Sequence, residues 1–110
     1  ALTGIALGAA ANRIPIVADG LISTAAILLA QIAQPKLANF VIPSHSSTEP
    51  GHSIALDSMQ LDHPLLDLEM RLGEGTGAAL AIGFCDVACH LLNDMSTFDE
   101  AEVDQSNQSK

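Results

Sequence analysis

Ile14-Pro15-Ile16-Val17-Ala18-Asp19-Gly20 decides how the rest of the chain is read. Five apolar residues in a row are too few for a helix, and Asp19-Gly20 stops them, so the run predicts a short strand buried on both faces. Upstream, the Ala- and Leu-rich segment from Leu2 to Asn12 predicts a helix. Downstream, Leu21 to Ile32 predicts a second helix, which Gln34-Pro35 terminates. Phe40-Val41-Ile42 repeats the buried-strand pattern and opens onto a polar loop from Pro43 to Gly51. A third helix is expected from Glu49 or Gly51 to Met59, then an extended or loosely turned Leu65-Leu66-Asp67-Leu68, then a last helix from about Ala78 to Asn93. Helix, strand, helix, strand and helix in that order predict an α/β fold with parallel pairing. Two strands make a poor sheet, so the chain reads as a piece of something larger.

The last helix has the clearest period. Leu80, Phe84, Val87 and Leu91 fall at i, i+4, i+7 and i+11, and Ala81, Cys85, Ala88 and Leu92 widen that stripe, so the helix is expected to be largely buried. From Ser96 the composition turns polar and acidic. Residues 1–95 are expected to fold, and residues 96–110, with Asp99, Glu100, Glu102 and Asp104, to form a solvated, disordered tail.

The 110 residues fit one small domain, and the 48% apolar fraction suffices for a core. With no Trp, no Tyr and three Phe, that core must be Leu, Ile, Val and Ala. The net charge is −9 and the basic residues are Arg13, Lys36, Arg71 and Lys110, which argues against nucleic acid and anionic membrane surfaces as partners. The best membrane-span candidate, Leu21 to Ala33, is interrupted by Ser23, Thr24 and Gln31 and is shorter than the roughly 20 residues a span needs. Ala1-Leu2-Thr3-Gly4 lacks the basic region of a signal peptide and an initiator Met, and reads as the interior of a longer protein. Cys85 and Cys89 lie four apart on one helix face, a spacing that disfavours a mutual disulfide and suits small core residues in a reducing cytosol.

Chemistry concentrates in two loops. In Arg71-Leu72-Gly73-Glu74-Gly75-Thr76-Gly77 an acid sits among three alternating glycines, just before the apolar helix. Glycines let a ligand approach the main chain, and the free N–H groups of the helix's first turn would point into the same space. Glu74 is then a candidate general base; it is equally read as an acid that merely complements the helix dipole. The second loop, Ser44-His45-Ser46-Ser47-Thr48-Glu49-Pro50-Gly51-His52, follows the second strand, where open α/β folds collect ligands. Its hydroxyls and N–H groups could hold a phosphate or ribose. A nucleophilic Ser–His pair is disfavoured, because no G-x-S-x-G elbow is present and adjacent residues rarely face each other. Neither His45, His52 and Glu49 nor Cys85, Cys89, Asp86 and His90 has convincing metal-site spacing. Ser47 or Thr48 is expected to cap the following helix, with Glu49 in its first turn.

Three stretches together carry a resemblance: Ile14 to Ala26, Ser44 to His52, and Leu65-Leu66-Asp67-Leu68-Glu69-Met70-Arg71-Leu72-Gly73-Glu74-Gly75-Thr76-Gly77-Ala78-Ala79. In order and spacing they resemble the carboxyl-terminal third of the nicotinate-nucleotide–dimethylbenzimidazole phosphoribosyltransferases. The resemblance covers Ala1 to about Glu102. It implies an α/β fold in which this chain supplies part of a parallel Rossmann-like sheet flanked by helices, with a last helix belonging to a smaller helical domain. It implies transfer of phosphoribose from nicotinate mononucleotide to 5,6-dimethylbenzimidazole, giving α-ribazole 5′-phosphate and nicotinate, in a cytoplasmic homodimer with no metal or redox cofactor. Glu74 matches the catalytic glutamate that takes the benzimidazole proton. Leu72 matches a residue of the base pocket, Gly73 and Gly75 the loop against the nucleotide, and Ser44, His45, Ser46 and Ser47 a segment near ribose and phosphate.

The chain departs from the family pattern in places. A Gly-Glu-Met-Gly-Ile-Gly-Asn-Thr-like phosphate cradle and its following lysine are absent, Glu69 stands where many relatives have Gly, and Gly83 where many have Pro. These gaps bear on whether the 110 residues act alone. The competing expectation is a catalytically inactive fragment or interaction module that needs the missing amino-terminal part.

Overall fold

The structure, a computed structural model, describes residues 1–61, 63–69 and 75–96. The expectations for Leu72, Gly73 and Glu74, and for the acidic tail beyond Ser96, lie outside the described residues. Among the described residues six regular elements follow in order: α1 (Leu2–Ala11), β1 (Ile16–Ala18), α2 (Leu21–Ala33), β2 (Val41–Pro43), α3 (Pro50–Ser58) and α4 (Thr76–Asp94), with a 3₁₀ helix (Pro35–Phe40) between α2 and β2. The strands pair in parallel, Ile16 opposite Val41 and Ala18 opposite Pro43. The α/β, parallel-paired expectation holds. Leu65 and Leu66 add a further extended piece: their N–H groups donate to the carbonyls of Pro43 (3.0 Å) and Ser44 (2.9 Å).

Two helices close on a left-handed residue that is not glycine. Arg13 follows α1 with φ 58°, and Gln60 follows α3 with φ 59°. In each case the next residue reaches back five positions: Ile14 N–H donates to Ala9 (2.9 Å) and Leu61 N–H to Leu56 (2.9 Å). These are Schellman closures, which satisfy the helix's last carbonyls and cost a non-glycine residue about 1–2 kcal/mol for the left-handed turn. The first closure corrects the strand boundary. Ile14 is used up ending α1, so β1 begins at Ile16, and Ile16 and Val17 are only half-buried. Phe40 likewise ends the 3₁₀ helix that Pro35 starts, and β2 begins at Val41. Glu69, where the family pattern favours glycine, also has a left-handed φ of 48°.

Ala6, Ala18, Ile27, Ala30, Leu37, Val41 and Met59 form the core, where α1, α2, the 3₁₀ helix and both strands meet. The small alanines let the helices approach, while Leu37 and Met59 fill the space between. The expectation for α4 fails. Leu80, Phe84, Val87 and Leu91 are 43–56% exposed, and only Gly77 and Ala81 of this helix are buried. Periodicity identifies a face that packs, but not what packs on it, and α4 meets the rest of the fold chiefly through β1. Cys85 is half-buried, Cys89 exposed, and both are free thiols, so the second is no core residue. By length and composition α4, not α2, is also the described helix apolar enough to cross a membrane. Asp86 near its middle argues against that, since a bilayer centre would cost such a carboxylate about 3 kcal/mol.

Candidate functional site

Beyond the carboxyl ends of β1 and β2 three segments meet: Asp19, the stretch from Ser44 to Ser47, and Gly75 to Ala78 at the start of α4. Parallel strands bring them together. Ser44 N–H donates to the Ala18 carbonyl at 2.9 Å, carrying the pairing one residue past the strands. Asp19 is held locally by its backbone alone: its N–H donates to Ser23 Oγ (3.1 Å), which donates to the Gly20 carbonyl (3.0 Å). That leaves the carboxylate free to act elsewhere, and it acts on α4. Asp19 Oδ2 accepts from Gly75 N–H at 3.0 Å and Oδ1 from Ala78 N–H at 2.9 Å.

A helix begins with unpaired N–H groups and a partial positive charge, and the preceding residue's side chain usually answers both. Gly75 holds that position with φ 81° and has no side chain. Asp19 supplies the missing acceptor from just beyond β1. This corrects the expectation that the first-turn N–H groups stand open to a ligand: those of Gly75 and Ala78 are taken. The role of Asp19 was not legible locally, where Asp-Gly reads as a strand terminator and a polar strand end of the kind that meets ligands.

Ser44 is fully buried, with Oγ donating to the Asp19 carbonyl at 3.3 Å and 3.1 Å from His45 Nδ1. These neighbouring side chains therefore do face each other, against expectation. Ser44 is nonetheless closed to solvent and engaged with an internal carbonyl, which suits a structural hydroxyl and not a nucleophile. His45 is buried too, its ring lying flush on α4, where a Cβ at Gly77 would collide with Nδ1. Gly77 is required for that close approach.

His52 is the other buried imidazole. Its Nδ1 accepts from Ser47 N–H (3.1 Å), so the neutral ring carries its hydrogen on Nε2 and donates to Thr24 Oγ1 at 3.1 Å. Burial holds its pKa below the ordinary histidine value, and His45, with ring centroids 6.1 Å apart, adds to that; Glu49 and Asp19 pull the other way. Ser47 Oγ accepts from Glu49 N–H at 3.3 Å but does not cap α3. Glu49 is itself the N-cap, ahead of Pro50 at the first helical position, and no side chain caps this end.

Ser46 and Ser47 are half-buried and, with His52, Ser53, Asp57 and Pro64, border a depression of about 100 Å³. Small-molecule pockets usually run to about 300–1,000 Å³, so this surface forms part of a site and not a whole one. Among the described residues no group of three or more His, Cys, Asp or Glu side chains could hold a metal ion. The structure thus brings Ser44 to Ser47 and Gly75 into one neighbourhood.

A family model described as a phosphoribosyltransferase matches residues 1–103. The nicotinate-nucleotide–dimethylbenzimidazole phosphoribosyltransferase of Chloroflexus aggregans is 50% identical over 108 residues, 98% of this chain and 30% of the relative. Its counterpart from Syntrophotalea carbinolica is 55% identical over 104 residues, 94% of this chain and 29% of the relative. The crystal structure of the enzyme of that name from Thermus thermophilus superposes with a TM-score of 0.87 at 42% identity, covering 94% of this chain and 31% of that one. The chain spans about 30% of the length of the curated relatives it matches.

Proposed function

The chain belongs to the phosphoribosyltransferase family, and from that premise we propose that it supplies the general-base side of a site moving phosphoribose from nicotinate mononucleotide to 5,6-dimethylbenzimidazole. The observation that supports this reading is the convergence of the Ser44–Ser47 loop and the start of α4 beyond the carboxyl ends of two parallel strands, the usual ligand position in such sheets. The half-buried hydroxyls of Ser46 and Ser47 suit ribose or phosphate. Ser44 and His45, both buried, shape the loop from behind; in this reading Leu72 borders the base, and Gly73 and Gly75 the nucleotide.

In the reaction a benzimidazole nitrogen lone pair bonds to the anomeric carbon while the bond from that carbon to the pyridinium nitrogen breaks. Its electron pair returns to the ring, and nicotinate leaves. The proton on the other benzimidazole nitrogen passes to the Glu74 carboxylate, whose negative charge also favours the positive charge developing on the ribose. The reading places this chemistry in the cytoplasm and in a homodimer, with no metal or redox cofactor.

Replacing Glu74 by Gln in the complete enzyme is expected to lower kcat by about 10²–10⁴-fold while nicotinate mononucleotide still binds. Full turnover by that variant removes Glu74 from its role. The exposed stripe on α4 favours a companion reading, that these 110 residues turn over nothing until the amino-terminal part found in relatives covers them. Turnover by the chain alone would contradict it.

A further inference from the structure

We propose that Asp19 is a positioning residue for this reaction: its carboxylate, bridging the N–H groups of Gly75 and Ala78, fixes Gly75 and the start of α4, which follow Glu74 directly in the chain. The proposal rests on the reading of Glu74 as the base.

The case begins with what Asp19 does not do. Its N–H and C=O already make the local bonds, to Ser23 and from Ser44, so ending β1 needs no carboxylate. Both carboxylate oxygens go to backbone donors 56 and 59 residues away, at 3.0 and 2.9 Å. With each oxygen on a backbone donor, the carboxylate is placed to hold the main chain at the start of α4. Its charge sits at the positive end of α4, where an anion is favoured.

The donors are equally telling. Gly75 adopts φ 81°, open space surrounds the place where its Cβ would be, and glycine is the residue with most rotational freedom to lose. Without a clamp Gly75 would be free to turn at the start of the helix. The first bond holds Gly75, and the second holds the helix three residues on. A freely turning glycine thereby becomes a fixed pivot. The clamp's own base is rigid, since Ser44 Oγ ties the Asp19 carbonyl to the β2 side of the sheet.

The test compares Asp19→Ala and Asp19→Asn in the complete enzyme, reading amide hydrogen exchange together with steady-state kinetics. Asp19→Ala is expected to speed exchange at Gly75 and Ala78 at least about 10-fold, leaving Ile27 and Ala55 unchanged. It should lower kcat about 10–100-fold, the cost of slightly misplacing a reacting group, with KM for both substrates within about threefold. Asp19→Asn keeps one acceptor oxygen and should fall between wild type and Asp19→Ala in both readouts. Unchanged exchange at Gly75 and Ala78 overturns the clamp. Faster exchange with wild-type kcat overturns the positioning role. Protection lost throughout both variants assigns Asp19 to stability and overturns it as well. Full turnover by Glu74→Gln would instead fail the reading of the base, and the exchange result would still judge the clamp.

Discussion

The two ends of α4 are made differently. At its start, Gly77 lies against the His45 ring, Asp19 answers two backbone donors, and Thr24, His52 and Ser47 complete a buried hydrogen-bonded chain nearby. Further along, Phe84, Val87 and Leu91 line up with equal regularity and touch water. The first end is specified by polar pairing over long sequence distances, where each partner is particular. The second is specified only by apolarity, which any complementary surface can satisfy. A helix can thus be fixed in direction by one turn while most of its length waits for cover.

The contrast is broken most severely at Gly77. Gly77→Ala forces the His45 ring from its place, and urea unfolding of the chain should show a loss of about 2–3 kcal/mol. A neutral result would mean the ring has room to move and the junction is looser than described. Thr24→Val comes next: it leaves the His52 Nε2–H buried without an acceptor, at a cost of about 1–2 kcal/mol in the same measurement. The same imidazole makes the junction sensitive to acid. With its folded pKa below the unfolded value of 6.5, the folded state resists the proton that the unfolded chain accepts. Stability is therefore complete above 6.5 and lost as pH falls from there through the folded value. Unfolding midpoints of wild type and His52→Gln across that range should diverge, the wild type being the more acid-sensitive. The smallest effect belongs to the far end of α4. Phe84→Ser in the chain alone should change stability by less than about 0.5 kcal/mol, and a loss several times larger would show the stripe to be covered already.

Much of the architecture was legible in the sequence. The short apolar runs, Pro35 and the stripe on the last helix gave helices and parallel strands near their observed places, because those signals are local. What escaped needed distant information. Ile14 reads as strand until its N–H is seen closing α1, and nothing near Asp19 announces a helix whose donors lie 56 and 59 residues away. Ser47 and Thr48 look like caps, yet Glu49 and Pro50 begin α3. The Ser44–Ser47 loop was marked by its composition. Burial sorts its members, turning Ser44 and His45 inward and leaving Ser46 and Ser47 beside the depression.

The sequence distance spanned by Asp19 also sets an order of assembly. The Schellman turns close within six residues, whereas the bonds to Gly75 and Ala78 join points more than fifty apart and give nothing until the intervening chain is in place. Asp19 reaches its working position only once β1 has paired with β2. The helix is therefore expected to be seated last during folding, and its first turn to be the first part released when the sheet weakens.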